Sequence, residues 1–191
     1  MFEELNNQFS LNSEEWNDYK TYFERLEIPT KTSLLHEGEV SSFAYFIEKG
    51  IVRAYYNNDG KDLTFQFFSE KSIFSSIESF RKNIPSLVGF ETIEPCILWR
   101  IHKNDAEKIL QKVFENEEMR NVFLNKVFER TFSYMKHFFS FIKDSPQQRY
   151  INLSKEHPEI IKRIPQHYIA SYLGITTVHL SRIKSKILKE K

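Results

Sequence analysis

The hydrophobic rhythm of this chain changes near residue 104, and that one switch limits the folds open to it. Before it, apolar residues fall in short aromatic and β-branched runs at 44–48, 51–56, 62–68, 87–92 and 96–101. Lys49-Gly50 and Asn57-Asn58-Asp59-Gly60 separate the first three, and both are turn-forming sequences. Short strands broken by frequent turns predict a sandwich, roll or barrel. From Asn104 onward the period is helical. Strands followed by helices make the chain α+β, and 191 residues suffice for one large domain or two small ones.

Composition closes several routes. Phe is abundant at 18 residues and Gly scarce at 5, so an aromatic core is available and long flexible linkers are not expected. No apolar run approaches the ~18 to 20 residues needed to span a bilayer. The start, Met1-Phe2-Glu3-Glu4-Leu5, lacks a basic region before an apolar one, which argues against secretion and for a cytoplasmic protein. Cys96 is the single cysteine, so no intramolecular disulfide or cysteine cluster is possible, and it reads as a core residue. The six histidines form no close ligand pair. His36-Glu37 could suggest a cupin-like metal centre, but no second histidine lies two residues away. There is no phosphate-gripping glycine loop and no nucleophile elbow. The expectation is a non-enzyme without metal or cofactor. Near the start, Asn12 with Glu15 three residues later reads as a capped helix entry ahead of Trp16.

The segment 117–143 carries the clearest helical pattern. Leu124, Phe128, Thr131, Met135, Phe138 and Ile142 are spaced 4, 3, 4, 3, 4, a heptad seam with five strongly apolar members. Phe123, Val127, Tyr134 and Phe141 form a second stripe beside it. A helix with two apolar faces needs two things to bury against. Its own β-rich domain is one, and the same helix of a second subunit is the other. Burial within one monomer core is the plainer alternative.

Beyond it, Ser145-Pro146-Gln147-Gln148 opens another helix with a cap, a first-turn proline and a capping box, leaving Lys143-Asp144 as a hinge. Residues 164–188 then read as two short helices joined by a tight turn. Ala170 is small where the helices cross, Gly174 supplies positive φ, and Thr176 can cap the second helix. Leu173, Leu180 and Ile183 fix the pair. From 162 to 191 there are seven basic residues against Glu190 alone, a surplus of six, while the other 161 residues carry 20 basic and 25 acidic side chains. A basic end on an otherwise acidic chain is the electrostatics of a nucleic-acid reader. The exposed face of the second helix would present Thr176, Thr177, Val178, Ser181 and Arg182 to base edges in a major groove, with Arg182 suited to guanine. Gln166, His179, Lys184 and Lys186 would contact phosphates.

A β-rich roll, a long helix and a C-terminal helix-turn-helix, in that order, resemble the Crp/Fnr family of bacterial transcription regulators. The residues that carry the resemblance are Gly38-Glu39, Lys49-Gly50-Ile51-Val52-Arg53 at an early hairpin, and Ile169-Ala170-Ser171-Tyr172-Leu173-Gly174 followed by Leu180-Ser181-Arg182-Ile183. The resemblance implies a double-stranded, jelly-roll-like sensor resembling a cyclic-nucleotide-binding domain over 1–116, a dimerisation helix over 117–143 and a helix-turn-helix DNA-binding domain over 144–191. It implies a homodimer on double-stranded DNA, with RNA polymerase as a further partner and no membrane role. Members that answer cyclic AMP have a Glu for the ribose and an Arg for the cyclic phosphate. Ser76 and Pro85 stand at the matching positions here, so an effector other than cyclic AMP is expected. Arg81 or Lys82 could supply the missing charge if the loop folded back. The multi-cysteine cluster of oxygen-sensing members is absent, and little room is left after the second helix for a β-hairpin wing. An effector would enter between Phe74-Ser75-Ser76-Ile77 and Ser86-Leu87, beside the long helix near Tyr134, and the aromatic surroundings suit an uncharged ligand. The competing reading is a small-molecule-binding or protein-interaction module that does not touch DNA.

Overall fold

A computed structural model describes residues 19–189. The helix entry read at Asn12 lies outside the described residues. Among the described residues eight strands form two antiparallel sheets of four. They are β1 Phe23–Ile28, β2 Ser33–Leu35, β3 Phe43–Lys49, β4 Val52–Asn58, β5 Lys61–Phe68, β6 Ile73–Phe74, β7 Gly89–Thr92 and β8 Cys96–His102. One sheet runs β1-β8-β3-β6 and the other β2-β7-β4-β5. Together they make a β-sandwich, accompanied among the described residues by α1 Ile77–Lys82, α2 Lys103–Glu115, α3 Glu117–Lys143, α4 Pro146–Glu156, α5 Pro158–Arg163, α6 Gln166–Tyr172 and α7 Thr177–Lys189.

Side chains from both sheets fill the space between them. Tyr45, Ile47, Phe74, Cys96 and Leu98 meet Leu35, Val52, Ala54, Phe68 and Phe90. Phe74 sits at the centre, stacked on Tyr45 at 5.2 Å and Phe68 at 4.9 Å, with Phe90 edge-on at 5.0 Å. Each such ring withdrawn from water stabilises the sandwich by about 1.5–3 kcal/mol. The outer faces are covered too, which explains the apolar doublets of the sequence. Phe46, next to inward Ile47, points outward onto Val113 and Met119 of the helices. Phe67, next to inward Phe68, points outward onto the C-terminal helices.

The strands differ from the sequence reading at three places. β1, β2 and β6 were not anticipated. β1 pairs with β8 along its whole length, but it is a sheet edge and carries Glu24, Arg25 and Glu27, so it lacks an apolar run. Lys49-Gly50 is not a hairpin, because β3 and β4 lie in different sheets. Gly50 makes the crossing with φ +105°, and a Cβ there would fall 2.5 Å from Cys96 Sγ. The tight hairpin is β4–β5, turned by Asp59 and Gly60, both at positive φ. Leu87, read as strand, is an exposed loop residue.

Helix α3 has local reasons to start and stop where it does. The Asn116 side chain caps it by accepting from the Met119 N–H at 3.1 Å. Glu117 and Glu118 occupy the first turn and Lys143 the last, complementing the helix dipole. Ser145 caps α4 by accepting from Gln148 N–H. The capping box expected there is only half made, since the Gln148 amide turns to Asn152 instead.

Candidate functional site

Helices α6 and α7 are joined by a four-residue turn whose chemistry is local. Ile175 N–H donates to the Ala170 carbonyl and Gly174 N–H to that of Ser171, the bond pair of a Schellman cap. Gly174 has φ +67°, and a Cβ on it would lie 3.1 Å from the Phe141 ring. Thr176 Oγ1 accepts from His179 N–H and starts α7. Leu180 and Ile183 point inward and are buried. Gln166, Thr176, Thr177, Val178, His179, Ser181, Arg182 and Lys186 are exposed, while Lys184 is half-buried. Helix α7 contains no acidic residue. Ser181, Arg182, Ser185, Lys186 and Lys189 line one shallow hollow on it.

Side chains to which the sequence reading gave no such role hold this unit to the sandwich. Arg53 is 2% exposed, pairs with Glu91 at 2.9 Å and Asp62 at 3.1 Å, and lies between the rings of Tyr55 and Tyr168, 4.3 Å from each. Tyr168 OH also bonds Glu91. At the free edge of β5, Thr64 N–H donates to Ser171 Oγ at 2.9 Å. Arg163 bridges Glu70 and Glu94, and that bond to Arg163 is the main reason the Glu70 carboxyl is held down at about 2. One signal was available: Arg53 interrupts an otherwise apolar run, and a buried charge must be paired.

The third anchor joins α3 to α6. His137 stacks on Tyr172 with centroids 4.8 Å apart, and Tyr172 OH and His137 Nδ1 share a bond of 3.1 Å. Burial pushes the Tyr172 phenol up to about 12. Burial, and then the Arg149 charge, push His137 below the ordinary imidazole value. A protonated phenol donating to a neutral imidazole satisfies both. Arg130 forms a strut further up the helix, donating to the Ile73 carbonyl at 2.7 Å and to Tyr134 OH at 3.0 Å. The Lys143-Asp144 link is bonded as well: the Asp144 carboxylate accepts from Ser140 and Asn152.

In the second stripe Phe123 packs on Phe114 of α2 and Phe141 lies against Arg149 and Gly174, while Val127 and Tyr134 stay exposed. The heptad seam is exposed throughout. Leu124, Phe128, Met135, Phe138 and Ile142 are exposed, Phe138 and Ile142 by 65% and 68%, and Thr131 is exposed beside them. Phe132 and Phe139 widen this apolar strip.

The residues assigned to an effector pocket are not brought together as one. Phe74 is 1% exposed and belongs to the packed interior. Ser76 and Ser86 share a hydrogen bond of 2.8 Å, and Val40 bridges Pro85, which draws the two segments together. Ser75 lies next to them half-buried, whereas Ile77 and Leu87 face solvent. Lys82 is paired with Glu78 on the surface of α1. Among the described residues no hydrogen bond or ring contact joins Tyr134 to any of these; it lines a cleft with Gln66 and His137.

Cys96 is buried, and burial pushes its thiol up to about 11. Among the described residues no group of three His, Cys, Asp or Glu side chains could hold a metal ion, and no helix is long and apolar enough to cross a membrane.

Residues 25–113 match the family model of the cyclic nucleotide-binding domain, just under half of the chain. No curated protein sequence matches. Among solved structures, the chain is similar to the c-di-GMP-responsive global regulator CLP of Xanthomonas campestris, with 14% identity, TM-score 0.72 and coverage of 94% of this chain and 93% of that one. A cyclic nucleotide-binding domain containing protein of Listeria monocytogenes gives 17%, 0.71, 98% and 91%. The regulatory domain of Toxoplasma gondii PKA, co-crystallised with cAMP, gives 18% and 0.50, with 56% of this chain covering 43% of that one. Residues 25–113 therefore match a cyclic nucleotide-binding domain, within a chain that shares its fold with structural neighbours of the Crp/Fnr type.

Proposed function

We propose that the protein is a homodimeric, sequence-specific DNA-binding transcription regulator of the Crp/Fnr type. Helices α6 and α7 act as a helix-turn-helix, with α7 in the major groove. The observation that carries this reading is the outward side of α7, acid-free and exposed at Thr176, Thr177, Val178, Ser181 and Arg182. Arg182 reads a base, while Gln166, His179, Lys184 and Lys186 hold phosphates. The seam from Leu124 to Ile142 joins two copies, so that two such helices meet two half-sites. The protein works in the cytoplasm, where the genome is, and RNA polymerase is its further partner.

Cyclic AMP is not its effector. Ser76 and Pro85 offer no carboxylate for a ribose and no guanidinium for a cyclic phosphate, and the Ser76–Ser86 bond uses the hydroxyls that remain. The likeness to a kinase regulatory domain favours a second reading, an effector-binding module without DNA. Genomic fragments retrieved on the purified protein and titrated by fluorescence anisotropy separate the two. The regulator reading expects affinity to fall steeply with salt. Failure to retrieve any fragment would favour the module.

A further inference from the structure

A cleft of about 560 Å³ lies between the sandwich, α3 and the C-terminal helices. That is a small-molecule volume, at a meeting of three structural units. Gln66 comes from β5, Tyr134 and His137 from α3, Arg149 and Asn152 from α4, and Tyr172 from α6.

Arg149 is the unusual wall. Its Nη1 donates to the Asp144 carbonyl at 2.9 Å, and its Nη2 to the Leu173 carbonyl at 3.0 Å. Its Nε is buried and donates to nothing. Among the described residues no carboxylate lies within ion-pair distance of it. The Phe141 ring stacks 4.7 Å from the guanidinium and covers a face. Nε and Nη2 share an edge; Nε is buried in it, and Nη2 keeps a second hydrogen. Lys136 and Lys143 line the same cleft, also without an ion pair. Two carboxylates also line the cleft: that of Asp144 is occupied by Ser140 and Asn152, and that of Glu156 lies on the Tyr172 side. A partly buried guanidinium satisfied only by carbonyls, with an orphaned edge donor, lacks an anion.

We propose that this cleft, and not the interior of the sandwich, binds a small organic oxyanion, whose oxygens engage the Nη2 end of the Arg149 guanidinium. The same guanidinium ties the end of α3 to the turn before α7, so an anion bound there acts on both. The site stands on its own geometry and does not depend on DNA binding.

Calorimetric titration of the full chain with succinate, citrate and inorganic phosphate tests it. The expected result is saturable binding of at least one, with one anion per chain. A preference for phosphate would identify a phosphoryl ligand, and a preference for the organic acids a carboxylate. Arg149→Lys keeps the charge but loses the edge, and should bind at least tenfold more weakly. The exposed pair Lys136→Glu/Lys143→Glu should weaken binding with an unchanged melting curve, and decides the matter if Arg149→Lys does not fold. No saturable heat with any of the three anions overturns the proposal. So does wild-type affinity in the variants that fold.

Discussion

The two faces of helix α3 use the same kinds of residue and meet opposite fates. On the inner face Met119 is buried, Phe123 rests against Phe114, Arg130 is bonded to the sandwich, and His137 and Phe141 meet α6 and Arg149. On the outer face Leu124, Phe128, Met135, Phe138 and Ile142 stand in solvent, at heptad spacing. A monomer rarely leaves so long an apolar strip uncovered. The contrast teaches that one face completes the chain, while the other is the face that the proposed dimer would cover.

That comparison can be broken in order of expected effect. Phe128→Glu with Met135→Glu removes four large apolar contacts per dimer, at least about 6 kcal/mol. Light scattering should then show monomers with an unchanged circular dichroism spectrum. Met119→Ala acts on the inner face and should cost about 2–5 kcal/mol of folding stability, read by urea denaturation, without dissociating a dimer. Arg182→Ala should cost ~1–3 kcal/mol on the specific DNA site and relax one base position, with dimer and fold intact. The smallest effect is a pH slope. His137 binds its proton less readily when folded than the ordinary 6.5, so the unfolded chain takes the proton first as pH falls. Stability should decline as pH falls through the ordinary imidazole value of about 6.5, and His137→Gln should flatten that decline.

Much of this was legible in the sequence where the signal is local. The Ser145 cap of α4, the positive φ at Gly174 and the Thr176 cap depend on residues within a turn of one another. The major strands were visible because their apolar runs are long. The sandwich topology was not, because Gly50 crosses between sheets for reasons set by Cys96, 46 residues away in the chain. Edge strand β1 hides behind its charges. One residue expected at an effector pocket, Phe74, lies in the interior for a related reason. Phe74 looked available in sequence, but three aromatic rings from three other strands already surround it. The polar joint built from Arg53, Arg149, Arg163 and Tyr172 is wholly tertiary, since each partner lies on another element.

The account turns on two copies of α7 meeting one DNA site through the outer face of α3. The most direct measurement is the mass of the complex on a single retrieved duplex, by sedimentation at moderate salt. The account predicts two chains per duplex at saturation, and no stable complex for the Phe128→Glu/Met135→Glu variant. One chain per duplex, or a seam variant that binds as tightly as the native chain, would contradict it.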